Sequence, residues 1–377
     1  MAHVVLIGAL PESLTNFRGD LIRALISAGH GVTGMAAPAS PEQVKAIESL
    51  GANFRPFPVQ RNGLNPWRDV QTLIYLRKAF RELNPDIVLA YTIKPIVWGG
   101  SALFGINGVK FFGMVEGVGY AFQPSGFKRQ ILMRLAVFLY RAALRKAEQV
   151  IFLNKDNESL FVQLGIVDRS QSVIVNGTGI DLDRFAAESL PVGAAVFLTI
   201  TRLLGEKGLR EYAHAARLVK QRYPDAVFRL LGPADPSPDG VPLQEVQGWH
   251  SEGAVEYLGA AKDVRPFIAD CHVYVLPSYH EGMPRTVLEA MSMGRPILTT
   301  DVAGCRETVL PGENGYLVPK ANAEALAERM IWFIEHRDQW QPMGQASRRM
   351  AEERFDVHRV NAEMLRIMDP NAKGVRA

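Results

Sequence analysis

The chain has only two cysteines in 377 residues, Cys271 and Cys305, and 21 % charged side chains. Two thiols this far apart give neither a disulfide framework nor a metal-ligand spacing, and a reducing compartment fits them. Long apolar runs are missing too. One charge-free stretch, 95–109, is short and broken by glycines, and no transmembrane helix is expected. The opening "MAHVVLIGALPESLTNFRGD" lacks a basic leader segment, which argues against a signal peptide and for a cytoplasmic protein. Charge of one sign is scarce: the net value is +3, made of +5 over Met1–Leu190 and −2 over the remainder. That balance excludes the concentrated basic face of a nucleic-acid binder. A mildly positive first half suits an acidic substrate or an anionic membrane surface. No Gly-x-Gly-x-x-Gly turn follows "HVVLIG" (3–8), which removes the usual dinucleotide-dependent dehydrogenase. None of the eight histidines shows metal spacing.

What is present is a globular composition, 47 % hydrophobic, at a length suited to two domains. "HVVLIGAL" (3–10) is a nearly continuous apolar run, the pattern of a strand buried on both faces. It leads into "NFRGDLIRALISAGH" (16–30), with Phe17, Leu21, Leu25 and Ala28 at helical spacing and Gly29 as the stop. Further strands are expected near 32–35, 87–91, 110–115 and 149–153. A second series is expected within 194–203, 225–232, 254–259, 272–278 and 295–300. Strand–helix alternation implies βαβ units and parallel sheets. The expected fold is α/β: two Rossmann-like domains facing across a cleft, 1–186 and 187–355. "DRFAAESLPVGA" (183–194) is the expected linker, and a C-terminal helix and tail, 356–377, is expected to pack back on the first domain. Ligands of such sheets bind beyond the carboxyl ends of the strands.

One such loop, "YHEGMPRTVLEAMSMGRPILTT" (279–300), places Glu281 in a Gly-Met-Pro turn and Glu289 among apolar neighbours on a short helix. Pro284 suits the first helical position. The N–H groups of Arg285, Thr286 and Val287 would then be open to a phosphate, which a helix start attracts. The two carboxylates could accept hydrogen bonds from hydroxyls on either side of a diphosphate, a description of a nucleotide sugar. Spacing alone equally allows a solvated Glu281 and a helical ion pair between Glu289 and Arg285. "TRLLGEKGLRE" (201–211) adds Arg202 and Lys207 across a glycine-containing turn, with Lys207 opening a helix. Cations beside a helix start are favourable only with an anion between them.

These motifs resemble those of retaining GT-B glycosyltransferases of family four. Glu281 and Glu289 match its E-x7-E signature, and Arg202 and Lys207 match its phosphate-binding pair. "NGTGIDLDRF" (176–185) and "AGCRETVLPGENGYLVP" (303–319) resemble further family segments. The resemblance implies that Arg202 and Lys207 neutralise the departing diphosphate, where their charge matters most as the glycosidic bond breaks. It implies that Glu289 holds the ribose and that Glu281 contacts the donor sugar. Gly282, Met283, Pro284 and Thr286 would line the sugar and phosphate. Retention would proceed by front-face attack with no covalent nucleophile. The co-substrate would be a UDP-sugar, with no other cofactor and no metal.

Two segments depart from the family pattern. Its Gly-Gly loop is replaced by "LPESLTNF" (10–17), where Ser13 and Leu14 would supply backbone donors. Its acceptor-side histidine is replaced by Glu116 in "FFGMVEGVGYAF" (111–122). Asp181-Leu182-Asp183 imitates a metal motif but lies away from the expected diphosphate, and His280 reads as a loop neighbour. "YTIKPIVWGG" (91–100) together with "EGVGYAF" (116–122) resembles the branch acting on undecaprenyl-diphosphate-linked sugars, which makes Lys94 an acceptor-side cation. "GFKRQILMRLAVFLYRAALRKAEQV" (126–150) carries six Lys/Arg, with Arg134, Arg141 and Arg145 on one helical face. It reads either as a domain helix with a solvated basic face or as a peripheral contact with the inner membrane. The resulting expectation is a membrane-associated retaining transferase that moves a hexose or N-acetylhexosamine from a UDP-sugar to a polyprenyl-diphosphate-linked sugar in surface-polysaccharide assembly. A soluble acceptor, or nucleotide-sugar binding without turnover, are the alternatives.

Overall fold

The computed structural model describes residues 1–60, 65–118, 122 and 126–369, with residues 126–129 described as backbone only. The chain forms two compact units, Met1–Thr178 with His358–Ala377, and Gly179–Val357.

The first unit holds strands β1 (His3–Ile7), β2 (Gly31–Ala36), β3 (Asn53–Pro56), β4 (Ile87–Tyr91), β5 (Lys110–Val115), β6 (Gln149–Phe152) and β7 (Ser172–Ile174). They form one sheet in the order β3-β2-β1-β4-β5-β6-β7, every pair parallel. The second unit holds β8 (Val196–Ile200), β9 (Val227–Leu231), β10 (Glu256–Tyr257), β11 (Val273–Leu276), β12 (Ile297–Thr300) and β13 (Gly315–Val318). These form a second parallel sheet, β10-β9-β8-β11-β12-β13. Both units are therefore α/β with helices between strands, as the alternation predicts. In each, chain order reverses once, between β1 and β4 and between β8 and β11. A crevice opens beyond the carboxyl ends of two strands at such a reversal, and ligands of this architecture lodge there.

Central strands are legible because both their faces are covered: every residue of β4, β8, β11 and β12 is buried. The strands that periodicity misses, β3, β7 and β13, lie at sheet edges, and β3 carries Arg55 and Pro56. Cys271 and Cys305 are free and buried, and burial pushes both thiols up to about 12.

Two expectations are corrected. The helix predicted through 16–30 runs only over Gly19–Ser27, and a separate helix, Pro11–Asn16, ends just where the predicted one begins. The break turns Phe17 outward, 45 % exposed, and buries Arg18 instead. The predicted linker 183–194 lies inside the second unit, strapped to it by side chains. Ser292 Oγ donates to the Phe185 carbonyl at 2.6 Å, and Arg295 Nη2 donates to the carbonyls of Glu188 and Ser189 at 3.1 and 3.2 Å. The chain passes between units at Thr178/Gly179 and Val357/His358, so the first boundary falls before 186. The C-terminal helix, Val357–Met368, belongs from His358 onward to the first unit. Residues 370–377 of the expected tail lie outside the described residues.

Candidate active site

In the second unit the loops after β8 and β11 leave neighbouring strands at the point where chain order reverses. After β8 the chain makes a 3-10 turn, Gly205–Lys207, before the helix Leu209–Arg222. Lys207 thus precedes this helix and does not open it. Gly208 separates them at φ +68°, and a Cβ there would stand 2.0 Å from the Pro277 carbonyl oxygen. Only glycine allows the two loops to approach this closely. The approach is fastened by the Tyr279 N–H, which donates to the Glu206 carbonyl at 2.8 Å.

The result is a direct contact between the two sequence motifs. Lys207 Nζ donates to Glu281 Oε1 at 2.6 Å, with the two side chains 13 % and 15 % exposed. Glu281 is also held by its backbone, whose N–H donates to the Ala303 carbonyl at 3.2 Å, from the loop after β12. Arg202, the other predicted cation, pairs with Asp235 in the loop after β9. The Ser237 hydrogen bonds to Asp235, foremost, hold that carboxyl below its ordinary range. Each predicted phosphate ligand thus has a carboxylate of its own. Asp235 escaped the sequence reading although it follows a strand as Arg202 does; comparing charges across neighbouring strand ends would have found it.

Gly282 and Met283 form the turn after Glu281, and Pro284 caps the helix Arg285–Ser292 from outside it. Pro284 is therefore not the first helical residue. Its carbonyl accepts from the Val287 N–H at 3.0 Å, so that predicted phosphate donor is engaged within the turn. Thr286 is the second residue of the helix and half-buried. Glu289 is buried, with Arg285 Nε donating to its Oε1 at 3.2 Å, so the helical ion pair allowed by spacing is present. Burial raises the Glu289 carboxyl above its ordinary value against the pull of Arg285. His280 is a half-buried neighbour whose Nε2 is covered and has no partner among the described residues, and desolvation lowers its imidazole pKa. Asp181 is a turn former: Oδ1 accepts from the N–H groups of Asp183 and Arg184 at 3.0 and 2.9 Å.

In the first unit the candidates gather where β1, β4 and β5 end. Ser13 Oγ donates to the Leu10 carbonyl at 2.5 Å and lies 2.9 Å from the Tyr91 hydroxyl. The Ser13 N–H also donates to Leu10, at 3.1 Å, so the backbone donor expected of Ser13 is already spent. Leu14 is fully buried and packs on Gly34. Lys94 Nζ donates to Asp69 Oδ1 at 2.9 Å, both side chains largely covered. Glu116 pairs with the buried Arg18, a residue the helical pattern concealed by pointing to Phe17. Residues 119–121 of the same stretch lie outside the described residues.

On the helix Gly126–Leu144, Arg134 and Arg141 are exposed, as is Arg145 just beyond it. Arg141 Nε donates to the Gly165 carbonyl at 2.8 Å and serves the fold. Ile131, Leu135 and Phe138 share the exposed face at 52 %, 48 % and 66 %. Among the described residues no helix is long and apolar enough to cross a membrane.

Two parallel α/β units, with cations and carboxylates converging at the strand ends of the second, have the layout of an enzyme that handles a phosphorylated donor. Family comparison agrees. Residues 15–177 match the model described as "Glycosyl transferase 4-like domain", and residues 194–336 match "Glycosyl transferases group 1". The chain belongs to this glycosyltransferase family. It is 29 % identical over 342 residues to the N,N'-diacetylbacillosaminyl-diphospho-undecaprenol alpha-1,3-N-acetylgalactosaminyltransferase of Campylobacter jejuni, covering 86 % of this chain and 87 % of that one. It is 27 % identical over 286 residues to the UDP-Gal:alpha-D-GlcNAc-diphosphoundecaprenol alpha-1,3-galactosyltransferase of Escherichia coli, covering 70 % of each. Among solved structures, HepE from Anabaena in complex with UDP and glucose superposes with a TM-score of 0.77 at 20 % identity, over 97 % of this chain and 98 % of that one. Sucrose-phosphate synthase from Thermosynechococcus elongatus gives 0.79 at 19 %, over 97 % of each chain. The fold is GT-B.

Proposed function

We propose that the protein transfers a hexose or N-acetylhexosamine from a UDP-sugar to a polyprenyl-diphosphate-linked sugar in cell-surface polysaccharide assembly, with retention at the anomeric carbon. The observation that carries the reading is the Lys207–Glu281 contact, which joins the phosphate-type cation and the sugar-type carboxylate in one site. Relatives named for undecaprenol-linked acceptors support the choice of acceptor. Arg202 and Lys207 would exchange their carboxylate partners for the diphosphate, stabilising charge that grows as the leaving group departs, with no metal ion required. Glu289 would accept hydrogen bonds from the ribose, and Glu281, freed from Lys207, from the donor sugar. Lys94 and Glu116 would serve the acceptor. The exposed apolar and basic side chains of the helix Gly126–Leu144 and of Arg145 favour work at the inner membrane surface.

The test has two parts. Thermal unfolding is followed with UDP, GDP, ADP and NAD in turn; a ligand at about 100 times its dissociation constant adds about 2.7 kcal/mol. UDP alone is expected to stabilise. UDP-sugars are then offered with undecaprenyl-diphosphate-linked sugars, and the anomeric configuration of the product is read by NMR. Stabilisation by NAD only, or an inverted product, rejects the reading.

A further inference from the structure

Arg18 is 1 % exposed and stands at the N-cap of the helix Gly19–Ser27, where its side chain makes no capping bond. Two costs meet in that placement. A guanidinium loses its hydration when buried, and a cation opposes the positive end of a helix. Its bonds to local structure are few: Nη1 donates to the Phe17 carbonyl at 3.1 Å, Nη2 contacts Met114 Sδ at 3.1 Å, and Nε has no partner among the described residues. What compensates is Glu116, whose Oε1 accepts from Nη2. The guanidinium also lies 4.5 Å from the centre of the Tyr91 ring.

These groups come from the segments that follow or close three neighbouring strands: Arg18 lies between the two helices after β1, Tyr91 closes β4 and Glu116 directly follows β5. Tyr91 is locked in turn by its contact with Ser13, and it occupies space that any side chain at residue 8 would take: a Cβ on Gly8 would stand 2.3 Å from its hydroxyl oxygen. The network is thus rigid at its buried end. At its outer end is Glu116, 29 % exposed, with one carboxylate oxygen tied inward to Arg18. The location, beside the β1/β4 reversal, is where a sheet of this order receives ligands.

We propose that Arg18 is a positioning residue for sugar transfer, holding the Glu116 carboxylate in one orientation as a hydrogen-bond acceptor for a hydroxyl of a saccharide substrate. The inference rests on the transferase reading given above. A carboxylate on a loop would otherwise sample several rotamers, and misplacement of a contact group by about 1 Å can cost roughly 10²-fold in rate.

The test is a double-mutant cycle on the full-length enzyme, using the nucleotide sugar and lipid-linked acceptor that the wild type turns over. Wild-type turnover itself tests only the proposed function; the ratios among variants test Arg18. Arg18→Met and Glu116→Gln are each expected to lower kcat by about 10²-fold, with the KM for the nucleotide sugar within about twofold. Arg18→Lys should recover part of the loss. The double variant should be no slower than the slower single one, because Arg18 acts only through Glu116. Losses that multiply in the double variant, or full kcat in Arg18→Met, overturn the proposal. If the Arg18 variants do not fold, Glu116→Gln keeps the buried guanidinium in place, and an unimpaired kcat in that variant alone overturns it.

Discussion

Lys207 and Glu281 lie 74 positions apart in sequence, yet Nζ and Oε1 meet at 2.6 Å because β8 and β11 are parallel neighbours whose loops leave the sheet side by side. The pair is held in a largely covered setting, where removing one partner leaves the other charge poorly solvated. On the proposed function it occupies, before substrate arrives, the place where a diphosphate would need a cation and a donor sugar would need an acceptor.

The first prediction follows from that exchange. Lys207→Ala should lower turnover by roughly 10²–10³, the loss expected when one charge-stabilising donor is removed from a developing anion. It should also lower the unfolding temperature of the ligand-free protein, since Glu281 loses its partner. Steady-state rates and calorimetry on the same preparation separate the two effects. An unimpaired rate would end the diphosphate argument.

Much of this site is legible in sequence, for a physical reason. Arg202, Lys207 and Glu281 sit in the loops after buried apolar strands and Glu289 on the helix that follows one of them, and such strands announce themselves by composition alone. The pairing partners are less legible. Asp235 and Arg18 are opposite their partners only once strand order is known, and a helical pattern cannot show that the chain breaks at Phe17 and turns Arg18 inward. The engagement of the Val287 N–H is not legible, because the turn geometry of Pro284, not its presence, decides which N–H groups remain open. The unit boundary is hidden because the Pro- and Gly-bearing stretch 183–194 has the composition of a linker but is strapped down by Arg295 and Ser292, distant in sequence.

The second prediction concerns the buried carboxyl of Glu289. Burial raises its pKa in the folded state above the ordinary 4.5, so the fold binds that proton more tightly than the unfolded chain does. The stability contributed is fully present below 4.5 and is lost as pH rises through the raised value. Glu289→Gln is neutral throughout and should escape the loss. The ligand-free variant is expected to melt above the wild type at about pH 7 and to show no advantage in acid. Its affinity for UDP should nevertheless fall by about tenfold or more, as a charged hydrogen-bond acceptor is lost. Calorimetry across pH, with and without UDP, reads both; undiminished UDP affinity would remove the ribose role.

The last prediction separates the two roles of the basic helix face. Ile131, Leu135 and Phe138 lie at i, i+4 and i+7 and share one exposed face, flanked by Arg134 and Arg145. If that face meets a bilayer, replacing Phe138 with Ser should weaken binding to phosphatidylglycerol-containing vesicles by about tenfold, the effect of withdrawing about 1.5 kcal/mol of apolar burial. Arg134→Gln and Arg145→Gln should each weaken it by about fivefold, near 1 kcal/mol per cation at an anionic surface, and should leave binding to pure phosphatidylcholine unchanged. Arg141→Gln should behave differently, because its guanidinium is committed to the Gly165 carbonyl: the expected result is a lower melting temperature with vesicle affinity kept. Vesicle sedimentation and thermal unfolding on the four variants decide the matter. Equal binding to both lipid mixtures, or a vesicle defect confined to Arg141→Gln, would make this helix a domain element with a solvated face and return the acceptor to the aqueous phase.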